Sequence, residues 1–237
     1  MKTAKQSVEL LDWCGDDLSV VNAARVSFSK RSRWSNVGEY EHAGGELELP
    51  EKDAKLIKYL AKHKHKSPFN HCFMSFRVKA PIFVARQLVK HEYLPWNEVS
   101  RRYVTEEPEF YFPEVWRKAA DNVKQGSSEE AVTILRMRGF TEQTVENGVS
   151  HVVEHAFLTY AEMLEAGVCP EQARMVLPQN TMTEWIWSGT LFAFAKMCKL
   201  RLEPHTQKET QEIARMIDGE AKMQYPVSWV ALMQYGE

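Results

Sequence analysis

Nothing in this chain of 237 residues is an apolar run long enough to cross a bilayer, so no membrane-spanning helix is expected. An excess of either charge is also missing. Thirty Lys and Arg stand against 32 Asp and Glu, a formal net charge of -2, which argues against non-specific nucleic-acid binding. Any polyanion site must therefore be a local basic cluster. The four cysteines, Cys14, Cys72, Cys169 and Cys198, are scattered and form no CxxC pair. They read as reduced thiols, with Cys72 and Cys198 in apolar surroundings, and none lies in a nucleophile motif. Repeats and low-complexity tracts are absent. The opening MKTAKQSVELLDW acquires polar and acidic residues too early for a signal peptide, so the chain is expected to stay where it is made. That expectation means the cytoplasm, of a bacterium or of a host cell if the chain is virally encoded.

What is present is a globular composition, 44% hydrophobic and 26% charged, with enough length for one substantial core. DDLSVVNAARVSFS (16–29) and EKDAKLIKYLAKH (51–63) carry apolar residues at helical spacing. Ser67-Pro68 opens a short turn, and Cys72, Met74, Phe76 and Val78 then alternate as in a strand. Pro81 starts a helix through His91, and PEFYFP reads as a short strand. GSSEE predicts a helix start near Ser127 or Ser128, followed by a long helical region to about Ala166 with a break near Gly139 and Gly148. PEQARMVL, LFAFAKMCKLRL and HTQKETQEIARMI read as helices, and TMTEWIW as a strand. Elements mixed without a βαβ rhythm point to irregular α+β, a mixed sheet flanked by helices. The whole chain, 1–237, reads as a single domain with a polar insertion at about 30–50.

Chemistry gathers in VKHEYLPWNEVSRRY (89–103), where Lys90, His91, Glu92, Asn97, Glu98, Ser100, Arg101 and Arg102 crowd together. Arginine forks suit phosphate and carboxylate oxygens, whereas an amide and a serine suit a base edge or a ribose hydroxyl. A solvated, salt-bridged turn would look the same. Gln87 precedes His91 by one helical turn. Arg174 and Arg201 stand on helices that are otherwise apolar, and burying them costs free energy unless each is paired. A local glutamate would satisfy each; a shared anionic ligand would satisfy both. His63, His65 and His71 are either a helix C-terminus that favours cations or a phosphate or ring contact at a loop beside a site. His151 and His155, in an HxxEH string, share a helix face that could hold zinc, but two histidines on a long helix are ordinarily surface residues, and no metal is expected.

FRVKAPIFVARQLVKHEYLPWNEVSRRY closely resembles the signature region of the flavin-dependent thymidylate synthases, Arg-His-Arg, seven residues, then Ser-x-Arg. HKHKSPFNH, EAGVCPEQARMVLPQNTMTEWIW and LRLEPHTQKETQEIA resemble further segments of that family in the same order. The resemblance implies a homotetramer with shared active sites that converts dUMP to dTMP, with methylenetetrahydrofolate as carbon donor and NADPH as reductant through FAD. It implies that Gln87, Lys90, Glu98, Ser100, Arg101, Arg102 and Arg174 hold the nucleotide. Arg201 would be catalytic at the uracil edge, stabilising charge that builds on the ring. His65, Ser67, Lys90, His91, Asn97, Glu98 and His205 would meet the flavin. Ser100, with no histidine base beside it in sequence, is assigned to binding. The departures are Glu92, where the family has a cation, and Thr190, Phe192 and Lys196, where many members carry asparagine and arginine.

Overall fold

The computed structural model describes residues 1–37, 46–121, 126–136 and 142–236. Its centre is a four-stranded antiparallel sheet of β1 (Ser7–Cys14), β2 (Phe73–Pro81), β3 (Trp96–Glu98) and β4 (Met182–Thr190). The spatial order is β1-β2-β4-β3, with Phe76 opposite Trp187 and Trp185 opposite Glu98. The expected combination of strands and helices is present. The central sheet itself is antiparallel throughout, and a parallel pairing occurs apart from it, between Lys2–Thr3 and Glu109–Phe110.

Period-two alternation explains how the sheet sits. Met74, Phe76, Val78 and Ala80 of β2 point to one face and are fully buried, together with Trp185 and Trp187 of β4. The opposite face carries Arg77, which lies 3.9 Å from Glu9 and 3.8 Å from Glu184. The buried face is covered by helices α1 (Asp17–Arg25), α2 (Glu51–Lys62), α6 (Leu191–Arg201), α7 (Lys208–Gln224) and α8 (Pro226–Tyr235). Phe194 of α6 meets Phe76 and Trp187 edge-on at 5.1 and 5.5 Å. Trp96 stacks on Trp185 at 4.2 Å, which anchors the three-residue edge strand β3 to the core.

Polar locks fix the helices around this core. Asp16 and Ser19 form a reciprocal capping box at the start of α1. The buried Asp17 carboxylate accepts the backbone N–H groups of Val227 and Ser228, at 2.9 and 2.7 Å, and so caps α8 from another element. Arg25 donates through Nε, at 3.1 Å, and through its terminal nitrogen to the fully buried Asp53, tying α1 to α2.

Several local expectations need correction. Ser127–Ala131 is a strand, not a helix start, paired antiparallel with Arg117–Ala119. Ser127 Oγ accepts from Arg117 Nε at 2.8 Å, and Arg117 also reaches the buried Glu209, so the hydroxyl serves a tertiary contact instead of a cap, while Glu129 and Glu130 make exposed pairs with Lys208 and Lys118. The long helix α4 (Val145–Glu165) begins at Thr144, whose hydroxyl caps Asn147 N–H at 3.1 Å. Gly148 does not break it. A Cβ there would stand 3.0 Å from Leu135 and 3.1 Å from Gln143, so glycine permits close packing of a strand pair; Gly139 lies outside the described residues. The helix α3 (Ile82–Leu88) stops before Lys90 and His91. PEQARMVL is a four-residue helix, α5 (Pro170–Ala173), continued by a 3-10 turn, and Arg174 on it is exposed, so no burial cost arises there. Of the polar segment at about 30–50, Ser35–Val37 and Glu46–Glu48 pair as short strands, and residues 38–45 lie outside the described residues.

Candidate functional site

Arg201, at the C-terminal end of α6, is half-buried, and among the described residues its partners include no carboxylate. Its Nε donates to His91 Nε2 at 2.9 Å, and one terminal nitrogen donates to the Gln87 carbonyl at 2.8 Å. The arginine therefore bridges the end of α3 to the turn that follows it. Burial lowers the Arg201 pKa, and the cation persists because an arginine begins so far above neutrality. His91 is pushed the same way, to about 4, by burial and by the neighbouring cations Arg201 and Lys196.

Gln87 is held on both sides of its amide. It accepts the Thr210 hydroxyl at 3.2 Å and donates to Gln207, so α7 orients it. Gln87, Lys90, Arg201 and His205 line one cavity of 530 Å³. Arg117 and Ser127, from the strand pair misread as a helix start, line it too. Arg117 donates to the buried Glu209 at 2.6 Å and so ties that pair to α7. Sequence reasoning missed Arg117, Ser127 and Gln207. Arg117 follows an apolar, proline-containing segment, and its spacing to Glu209 carries no local signal.

A second cavity, of 920 Å³, gathers Glu98, Arg101 and Arg174, together with Arg86 of α3. Glu98 is fixed by Thr183 Oγ1 at 2.7 Å and by Trp96 Nε1 at 3.0 Å, both donating to its carboxylate. Arg101 donates to the Glu106 carbonyl, which shapes the loop after β3. Asn97 and Arg102 are exposed. Ser100 Oγ accepts from Arg102 backbone N–H and Nε at 3.3 and 3.4 Å, and the Arg102 guanidinium lies 5.0 Å from the Tyr103 ring.

His65 and Ser67 belong to a third cavity, of 1310 Å³, among Arg25, Lys30, Lys52 and Lys66. His65 stacks on the exposed Tyr59 at 6.1 Å. Cations, a hydroxyl and an exposed ring in one basin form a donor set suited to a diphosphate that carries an aromatic base. Lys66 also lies 5.3 Å over the Phe192 ring.

The expected site residues are thus divided on one chain among three basins and an exposed rim. Neither buried cysteine offers a thiolate: burial pushes Cys72 up to about 12 and Cys198 well above the ordinary thiol range. His151 and His155 are exposed on α4, and among the described residues no group of three His, Cys, Asp or Glu side chains converges as a metal site. Among those residues no helix is long and apolar enough to cross a membrane.

The profile of a family described as Thymidylate synthase complementing protein matches residues 9–227. A flavin-dependent thymidylate synthase of Thermus thermophilus is 38% identical over 236 residues, covering 98% of this chain and 77% of the relative. One from Thermotoga neapolitana is 37% identical over 98% of this chain and 92% of its own length. Among solved structures, a UMP/dUMP methylase, PolB, of Streptomyces cacaoi bound with 5-Br dUMP superposes with a TM-score of 0.78 at 28% identity. That match covers 100% of this chain and 98% of the other.

Proposed function

Because the chain belongs to the family of flavin-dependent thymidylate synthases, we propose that it methylates dUMP to dTMP, with 5,10-methylenetetrahydrofolate as carbon donor, NADPH as reductant and FAD as cofactor. The observation that carries this reading is Arg201, pinned by His91 and the Gln87 carbonyl on the wall of a cavity shared with Lys90. A cation held rigidly there stabilises negative charge developing on a pyrimidine ring without reorganising at the moment of reaction. Gln87, its amide oriented by Gln207 and Thr210, supplies directional hydrogen bonds to the base, and Lys90 adds charge beside it.

Glu98, Ser100, Arg101, Arg102 and Arg174 hold the rest of the nucleotide, with arginine forks on its phosphate and Glu98 toward its ribose or the flavin. His65 and Ser67, in their basin of cations, would suit the diphosphate of FAD, and Lys90, His91, Asn97, Glu98 and His205 would meet the flavin elsewhere. FAD, when bound, supplies the redox chemistry that links NADPH to the one-carbon unit. The residues of this chain bind, orient and place charge.

These groups lie in different basins of one protomer, which supports a homotetramer whose active sites are each assembled from several subunits. We place the whole chain, 1–237, in a single domain of this type, working in the cytoplasm of a bacterium or of a virally infected host. The bacterial relatives support that compartment.

A second reading is favoured by the likeness to a UMP/dUMP methylase: the same methylation, with UMP as substrate. Parallel incubations with dUMP and UMP, with FAD, NADPH and methylenetetrahydrofolate supplied, separate the two. Mass spectrometry should find a methylated product from dUMP; product from UMP alone would replace the first reading with the second.

A further inference from the structure

His91 and Arg201 are 110 positions apart in the chain, and the direction of the bond between them fixes a protonation state. An arginine Nε carries a hydrogen and no lone pair, so it can only donate. The His91 Nε2 that receives it must therefore carry its lone pair. A neutral imidazole has a single N–H, which leaves that hydrogen on Nδ1. If His91 were doubly protonated, the acceptor would vanish and two cations would abut. The charged groups that act on the ring are Arg201 and Lys196, both on α6, and Lys90 and Glu92 flank it in the chain. Burial, and then Arg201 and Lys196, hold the ring's pKa near 4, so the acceptor persists through neutral pH.

The anchoring has a steric result. With Nε taken by His91 and one terminal nitrogen taken by the Gln87 carbonyl, the guanidinium plane is set at two points on one edge. Among the described residues its other donors have no hydrogen-bond partner, and Arg201 lines a cavity with Lys90 and Gln207. A long side chain with several rotatable bonds would otherwise sample many orientations, each costing rate if the productive one must be found anew.

We propose that His91 is a positioning residue for Arg201. In its Nδ1–H tautomer it accepts the Arg201 Nε hydrogen and sets the orientation in which that guanidinium meets the nucleotide. This rests on the proposed reaction only for its kinetic consequence; the tautomer and the hydrogen bond stand independently of it. The inference differs from a flavin contact by His91, because it acts through Arg201 and requires an acceptor at one atom.

Two substitutions isolate that requirement. His91→Phe keeps a planar ring and removes the acceptor, whereas His91→Gln puts an amide oxygen where Nε2 lies. FAD is held saturating, and flavin occupancy is read from its absorbance. At equal occupancy His91→Phe should lower kcat about a hundredfold, with a much smaller change in the KM for dUMP, and His91→Gln should recover most of the loss. A role in packing alone predicts that both variants fall together, and that outcome overturns the proposal, as does an unchanged His91→Phe.

A readout without turnover accompanies these. In the wild-type protein labelled with nitrogen-15 on histidine, the His91 resonance, assigned by its loss in His91→Gln, should show Nδ1 protonated and Nε2 bare across neutral pH. A Nε2–H tautomer, or protonation near an ordinary histidine pKa, overturns the proposal. A wild-type enzyme that turns over no nucleotide would strike the functional reading, while the resonance test would still decide the tautomer.

Discussion

At the scale of single residues, the site depends on polar groups that are held before any ligand arrives. Among the described residues Arg201 has a ring nitrogen and a carbonyl as partners and no carboxylate, so its positive charge is left uncancelled, as the proposed role requires. Arg117 is different, because the buried Glu209 already neutralises it and its part is to brace the cavity wall. The charge difference predicts a difference in substitution. Arg201→Ala should lower kcat about a hundredfold to a thousandfold while the protein remains folded by circular dichroism; near-normal turnover would refute its role. The His91 pKa has a consequence for stability as well. A histidine depressed from 6.5 to about 4 is neutral in the folded chain where the unfolded chain binds a proton, so the unfolded state gains protons first as pH falls. Stability should therefore decline as pH drops through that window and level off below it. Urea titrations of His91→Gln should show a shallower decline; a slope identical to wild type would contradict the assigned burial of a neutral ring.

At the scale of elements, the sheet and its helices position these side chains through a few buried contacts. The pair of Arg25 and Asp53 is one, since it joins α1 to α2 along the basin that contains His65 and Ser67. Arg25→Ala would strand a fully buried carboxylate and should cost about 3–5 kcal/mol in a denaturant titration, whereas a loss within experimental error would mean that the carboxylate finds other partners. Much of this framework was legible in the residues. The alternation of Met74, Phe76 and Val78, and the β-branched and aromatic run of TMTEWIW, marked two central strands because one face of each had to be buried. β3 was not legible, as three residues hold no period; Trp96 stacking on Trp185 defines it. Ser127-Ser128-Glu129-Glu130 satisfied a local pattern for a helix start, and the competing tie from Ser127 through Arg117 to Glu209 spans too much sequence to be read. Arg174 looked like a burial problem because its neighbours are apolar, yet the turn on which it sits is exposed. Residue types suited to a nucleotide site could be listed from the sequence, but one chain divides them among three basins and an exposed rim. That Arg201 would be pinned by His91 was not legible, because the contact crosses from one end of α6 to the turn after α3.

At the scale of the whole molecule, the residues assigned to one reaction open onto separate basins of a single chain. The proposed homotetramer with shared active sites would resolve that division, and it can be tested by mixing. Arg174→Ala and Arg201→Ala protomers, each inactive alone, should regain turnover when refolded or expressed together, in a species of about four times the 27.4 kDa chain mass. Mixtures as inactive as either variant would indicate that each protomer builds its own site. A chain of net charge -2 can still meet a nucleotide through local clusters of cations, such as those that line two of these basins. The central claim remains the methylation of dUMP at a ring carbon whose hydrogen must leave. It is tested most directly by release of tritium from that carbon of labelled dUMP, with FAD, NADPH and methylenetetrahydrofolate supplied to folded, flavin-loaded protein. The account predicts release into water that depends on the folate and is lost in Arg201→Ala; no release from the wild-type protein under those conditions would contradict it.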